Sequence, residues 1–405
     1  MQDDTGIGPS GPGPAAQPPE GEKVAKAAQD AKHALGRRIA ARIAAAGGWL
    51  PFDDFMAEAL YAPGLGYYSG GRRIFGLAPA SGSDFVTAPE LSPFFGRALA
   101  VQVREALAAA GAREVFEFGA GTGALAEALL EALDAPGPED DGALPPVRYT
   151  IVELSADLRE RQQRRLARFA PRVRWLDAWP DAIRGVVVGN EVLDAMPVKL
   201  LHRAGGAWHE RGVVLADGAF AFADLDAQFA PAGRTQAAPA LAAPGFVDGT
   251  VTEIHPVAEA FVASLAERLE RGVAILVDYG FPEHEYYHPQ RTGGTLMCHR
   301  AHQADTDPLA DVGEKDITAH VNWSGIALAA QEAGLDVLGY TSQARFLINC
   351  GFVDLLAGAG VAERANAQKL VNEHEMGELF KVLLLARGVE LDPVGFHDGD
   401  RSHRL

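Results

Sequence analysis

The stretch GNEVLDAMP, residues 189–197, sets one amide and two carboxylates close together: Asn190, Glu191 and Asp194. Carboxylates placed this way pair with an ammonium or guanidinium, orient its nitrogen lone pair and accept the proton it releases. A helix start capped by Asn190 or Asp194, with Pro197 closing an apolar turn, would use the same residues without any chemistry. A second candidate set lies in VFEFGAGTGALAEALLEAL, residues 115–133. Gly119, Gly121 and Gly123 alternate there, and Glu117 stands two residues ahead of the first glycine. Glycines carry no Cβ, so the chain can turn tightly and a ligand can approach the backbone. The helix that begins at Ala124 then offers its free amides.

Gly119, Gly121 and Ala124 satisfy the dinucleotide spacing, so a nicotinamide or flavin cofactor and S-adenosylmethionine both fit the turn. Glu117 favours the second, because a carboxylate repels a pyrophosphate and attracts the methionine ammonium.

These residues need a strand that hands over to a helix. Val115–Phe118 reads as a buried strand, and the helix from Ala124 carries an apolar stripe. VRYTIVELS, VRWLDA, RGVVVGNEVLDAMPV and AILVDYG supply four more strands, and FKVLLLARG reads as a last strand near the sheet edge. Charged or amphipathic helices such as LRERQQRRLARF and FVASLAERLERG lie between them. Alternation of this kind predicts a doubly wound, parallel α/β sheet. Ligands bind such sheets beyond the carboxyl ends of the strands, and the residues there are polar. They are Glu117, Glu153, Asp177, the Asn190 to Asp194 group, and Asp278 with Tyr279. An acid at the end of the second strand suits the two ribose hydroxyls of an adenosine cofactor, which is the reading for Glu153. Asp177 can accept from an adenine amino group or cap a helix.

With 405 residues, 48% of them apolar, the chain can bury a large core. A net charge of −18 argues against nucleic acid as the main partner and permits a cationic substrate. No apolar run is long enough for a membrane span. Cys298 and Cys350 are too few and too far apart for a disulfide framework or a thiolate metal site, which points to a reducing compartment, the bacterial cytoplasm. His299 and His302 have i, i+3 spacing, yet the Arg, Gly and Pro around them read as loop, so no metal is expected. Residues 1–24 read as a disordered tail, and 25–92 as N-terminal helices followed by a loop, 67–95, that covers the site. The main domain is read as 93–390, with insertions near 203–250 and 281–320, and 391–405 as a tail.

The motifs GYY, SDFVTAPELSPFFG, EFGAGTG, VELS, GNEVLDAMPV, DYG, GGTLMCHRAH and GEKDITAHVNW, in this order, resemble the MidA-like S-adenosylmethionine-dependent methyltransferases. The resemblance runs from about Ala41 to Gly388. It implies a Rossmann-like class I methyltransferase sheet with helices on both faces, plus an N-terminal helical part and insertions. Its glycine motif falls on Gly119, Gly121 and Gly123, its ribose acid on Glu153, and its Asn-Glu-x-x-Asp-Ala segment on Asn190, Glu191 and Asp194. Some members carry Pro and Arg where this chain has Ala120 and Thr122, and Gly where it has Ser83. The family includes a complex I assembly factor that methylates an arginine, so a protein substrate, a subunit of respiratory complex I, is the implied partner.

The expected activity is therefore methylation of a protein arginine, with Glu191, helped by Asp194, gripping the cation and Asn190 positioning cofactor or substrate. A nicotinamide-dependent oxidoreductase, a non-catalytic assembly chaperone and a small-molecule methyltransferase stay open as alternatives. The segment 281–320 reads either as a substrate loop or as a contact between copies of the chain.

Overall fold

The computed structural model describes residues 20–70, 86–135, 146–229, 238–300 and 302–405, with side chains from Asp30 onward. Most of the expected N-terminal tail, and residues 71–85 of the expected covering loop, lie outside the described residues.

The main sheet holds seven strands: β1 Glu114–Phe118, β2 Arg148–Val152, β3 Val173–Leu176, β4 Ile183–Asn190, β5 Leu269–Phe281, β6 Asp336–Ser342 and β7 Phe380–Arg387. Their order is β6-β7-β5-β4-β1-β2-β3, and the short pair Val321–Asn322 extends the end of β5. The β1·β2, β1·β4, β2·β3 and β4·β5 pairs are parallel. β7 runs antiparallel to both neighbours, so the sheet is mixed rather than wholly parallel. β7 is also second from the edge. The edge strand is β6, which the sequence hides: DVLGYTS has no apolar run, and its first half is only partly buried.

Alternation along the strands explains why helices cover both faces. Val115, Val186, Val188, Val273 and Ile275 enter one core with α1 (Pro93–Ala110) and α2 (Ala124–Asp134). Phe116, Val187, Ala274 and Leu276 enter the other with α4 (Pro256–Arg268) and α5 (Trp323–Glu332). The result is a Rossmann-like α/β sheet with helices on both faces.

A third core joins the N-terminal helices to both insertions. Leu35 and Ile39 of helix Glu20–Ala45 pack there with Phe52, Phe55 and Met56 of helix Phe52–Tyr61. Leu200 and Val213 come from a five-stranded sheet whose strands reach from Lys199 to Ile254, wider than the bounds 203–250, with Leu50–Pro51 as its fifth member. Cys298 and Ile317 come from a three-stranded sheet built of Met297–Arg300, Gln303–Asp305 and Asp316–Thr318.

The last residues pack along the exposed edge of β6. Arg401 N–H donates to Tyr340 O at 2.6 Å, Tyr340 N–H to Asp400 Oδ1 at 2.9 Å, and Thr341 Oγ1 to Gly399 O at 2.7 Å. They cover a strand edge that would otherwise leave its backbone groups open. Among the described residues no helix is long and apolar enough to cross a membrane.

Candidate functional site

The strand order reverses between β1 and β4, which lie side by side with Phe118 opposite Gly189. The glycine turn after β1 and the Asn190 to Asp194 turn after β4 therefore flank one crevice, where open α/β sheets bind ligands. It is a cavity of about 980 Å³. Glu117, Gly119, Gly121, Glu153, Asn190, Glu191 and Asp194 all line it. Gly123 does not; it precedes α2 at φ 85°. Asp177 is exposed and outside the lining, whereas the next residues, Ala178 and Trp179, are within it.

Gly119, Gly121 and Gly123 all have positive φ, at 67°, 53° and 85°. At Gly119 an added Cβ would also lie 2.8 Å from Val192 Cγ2, so the turn after β1 and the turn after β4 touch at a point that admits no side chain.

Glu117 is 2% exposed and accepts a hydrogen bond from Tyr149 Oη at 2.8 Å. Burial pushes its pKa up to about 8, against the pull of that bond. Glu153 accepts the Ser155 N–H on Oε1 at 2.8 Å and Gln162 Nε2 on Oε2 at 2.9 Å, and burial raises its pKa as well.

The opposite wall is more acidic. Glu191 adopts φ 52°, an uncommon conformation for a side chain of its size, and its N–H is tied to Val277 O at 2.9 Å. Its Oε1 accepts from Asn190 Nδ2 at 3.0 Å, and its carboxylate also meets the Ala88 N–H. Burial first, then the Asp194 charge, pushes its pKa up to about 8. Asp194 accepts the Tyr279 hydroxyl at 2.5 Å, and burial raises its pKa too. Asp278 behind them is raised by burial and by the charges of Asp194 and Glu191. Carboxyl groups this close resist ionising together, and an entering cation relieves that resistance. Asn190 Oδ1 and Asp194 Oδ1 are buried without a hydrogen-bond partner among the described residues.

Residues that the strand-end reading missed complete the wall. Tyr61 and Tyr68 stack with centroids 5.5 Å apart, and Tyr68 Oη donates to both oxygens of Asp316 at 3.0 Å. All three line the cavity. The sequence marks DITAHVNW for its histidine, yet its aspartate also faces the site. His320 of that stretch lines the cavity beside Tyr279, and burial lowers its pKa to about 4, so it is neutral. His299 also lines the cavity. His302 is exposed at the turn of a hairpin, so the pair lacks the helical spacing a shared metal would need, and no group of three or more ligating side chains that could hold a metal occurs among the described residues.

The donor set suits S-adenosylmethionine. Glu117 can take the methionine ammonium, where a pyrophosphate would be repelled, and Glu153 the ribose hydroxyls.

The family described as S-adenosyl-L-methionine-dependent methyltransferase matches residues 96–341. The mitochondrial protein arginine methyltransferase NDUFAF7 homologue of Drosophila melanogaster is 26% identical, over 93% of this chain and 90% of its own. The human NDUFAF7 protein is 25% identical, over 82% and 79%. A crystal structure from Burkholderia thailandensis, of a COG1565 superfamily member bound to S-adenosyl-homocysteine, is 51% identical over 93% of this chain and 98% of its own, with a TM-score of 0.87. Glycine turn, acid-lined crevice and these likenesses agree, and the chain belongs to this family of S-adenosylmethionine-dependent methyltransferases.

Proposed function

We propose that this methyltransferase acts on arginine in a protein substrate. One observation carries the reading: the cavity wall across from the glycine turn is built of Glu191, Asp194, Asp316 and the stacked Tyr61–Tyr68 pair. A guanidinium is flat and always charged, pairs with carboxylates through two parallel N–H bonds and stacks on aromatic faces. The named activity of the mitochondrial relatives supports the same substrate.

When bound, S-adenosylmethionine supplies the methyl group as an electrophile on a sulfonium. Glu191 and Asp194 hold the guanidinium, whose charge draws their carboxyl groups into the ionised form. The proton leaving the nitrogen passes to the Glu191 carboxylate. Asn190 fixes Glu191 through its amide, and Tyr279 fixes Asp194 through its hydroxyl. Positioning of this kind supplies much of the rate. A subunit of respiratory complex I is the substrate we favour, and the bacterial cytoplasm, which suits two buried free cysteines, is the compartment.

The test is incubation of the full chain with methyl-deuterated donor and peptides from complex I subunits, read by fragment mass spectrometry. Label on arginine, absent from arginine-to-lysine peptides, is the expected result. Label on any other residue type overturns the reading.

A further inference from the structure

Helix α3 (Ala156–Arg165) reads ADLRERQQRR, and only Leu158 and Gln162 of it are buried. They are one turn apart, on one face of the helix. A fully buried amide where a leucine would pack requires an explanation, and its bonds supply one.

Gln162 Nε2 donates to Gly121 O at 2.9 Å and to Glu153 Oε2 at 2.9 Å, while Oε1 accepts from Trp175 Nε1 at 3.0 Å. An indole N–H can only donate, and a carbonyl and a carboxylate can only accept, so all three partners impose the same orientation on the amide. Reversed, the amide would set its oxygen against a carbonyl and a carboxylate and its nitrogen against the indole N–H. Both hydrogens of the amide are thus committed to the glycine turn after β1 and to the acid after β2. Glu153 Oε1 is held separately by the Ser155 N–H. With each oxygen given a fixed donor, the carboxylate cannot rotate, and its remaining lone pairs keep one direction.

We propose that Gln162 is a positioning residue for the cofactor: it locks Glu153 and the Gly121 carbonyl in one geometry, so that the carboxylate meets two neighbouring ribose hydroxyls with both oxygens at once. Trp175 anchors Gln162 in turn. The inference rests on Glu153 being the acid that takes the ribose. Gln162 touches no reacting atom and acts through the residues it holds.

The experiment is calorimetric titration of the full chain with S-adenosyl-homocysteine and with its 2′-deoxy analogue, for the wild type, Gln162→Leu, Trp175→Phe and Glu153→Gln. The wild type should prefer the hydroxylated ligand. Gln162→Leu should weaken S-adenosyl-homocysteine about tenfold and the deoxy analogue no more than about twofold, the loss of an aligned charged hydrogen bond. Trp175→Phe should reduce the preference in the same direction by about threefold, because the amide loses one of its three anchors and its oxygen is left buried without a donor. In turnover, the donor KM should rise in Gln162→Leu while kcat holds.

Equal weakening of both ligands in Gln162→Leu, or no weakening of either, overturns the proposal, since a merely structural amide gives no preference for a hydroxyl. If Gln162→Leu does not fold, Trp175→Phe decides, and an unchanged preference there overturns it. Should Glu153→Gln keep the wild-type preference, the ribose reading of Glu153 falls and the role of Gln162 falls with it. Should Glu153→Gln abolish the preference while Gln162→Leu retains it, the role of Gln162 alone is lost.

Discussion

The carboxylate of Asp278, at the end of β5, accepts the backbone N–H of Asp194 at 3.2 Å through the same oxygen that accepts the Leu193 N–H at 2.9 Å. Its other oxygen accepts the Tyr279 N–H at 2.9 Å. A strand-end acid thus acts as a brace for the turn that carries the candidate catalytic groups, and Tyr279, one residue on, binds the Asp194 side chain. Asp278→Asn should destabilise the protein by about 1–3 kcal/mol, because an amide nitrogen placed against these N–H groups leaves donors buried and unpaired. Chemical denaturation of the two forms measures it, and an unchanged midpoint would show that the turn holds itself.

In the proposed mechanism, Glu191→Gln removes the proton acceptor and half of the grip on the cation while keeping shape. Turnover should fall by about a hundredfold or more, with S-adenosyl-homocysteine affinity unchanged within about twofold. Full turnover in this variant would remove Glu191 from the mechanism. The proposed mechanism uses the carboxylate, and with a free-enzyme pKa of about 8 the value of kcat/KM should climb from neutral pH and level off above it.

Glu117, with its pKa near 8, is largely protonated at pH 7, and in the proposed pose the ligand ammonium ionises it. Cofactor binding at that pH should therefore release a proton, seen as a binding enthalpy that varies with the ionisation enthalpy of the buffer. Glu117→Gln should abolish the release. The same group contributes a sign to stability. Its folded pKa lies above the unfolded value, so the folded ligand-free protein binds more protons between about pH 4.5 and 8, and this contribution to stability declines as pH rises through that window.

Glu253 is 0% exposed and accepts from Tyr286 Oη at 2.8 Å, Thr295 N–H at 2.9 Å, Thr295 Oγ1 at 3.1 Å and Leu296 N–H at 3.1 Å. It ties the second insertion to the first, close to Met297 and His299 on the cavity wall. Glu253→Leu should lower stability by about 3 kcal/mol or more, since several donors lose their acceptor together. A thermal melt tests it. The loss should exceed that of His284→Ala, an exposed residue of the neighbouring EHEYYH stretch.

The sequence determined what is local. The apolar run Val115–Phe118, the glycines that need positive φ and the acids after each strand are one-dimensional signals, because strands, turns and caps are set by neighbours in the chain. Those signals led to the crevice and to Glu117, Glu153, Asn190, Glu191 and Asp194, all of which line it. Tertiary structure decided the rest. β6 has no apolar run of its own and exists as an edge because β7 pairs with it. Asp177 ends its strand like the others, yet chain direction after β3 turns it to solvent. Tyr61, Tyr68 and Asp316 come from segments more than 200 positions apart and meet only because the N-terminal helices and the second insertion share a core. Gln162 is hidden in a charged helix, and nothing in its neighbours shows that a tryptophan, a glycine carbonyl and a carboxylate converge on it. Long-range packing brings such groups together, and hydrophobic periodicity records which face is buried but not what polar partner waits there.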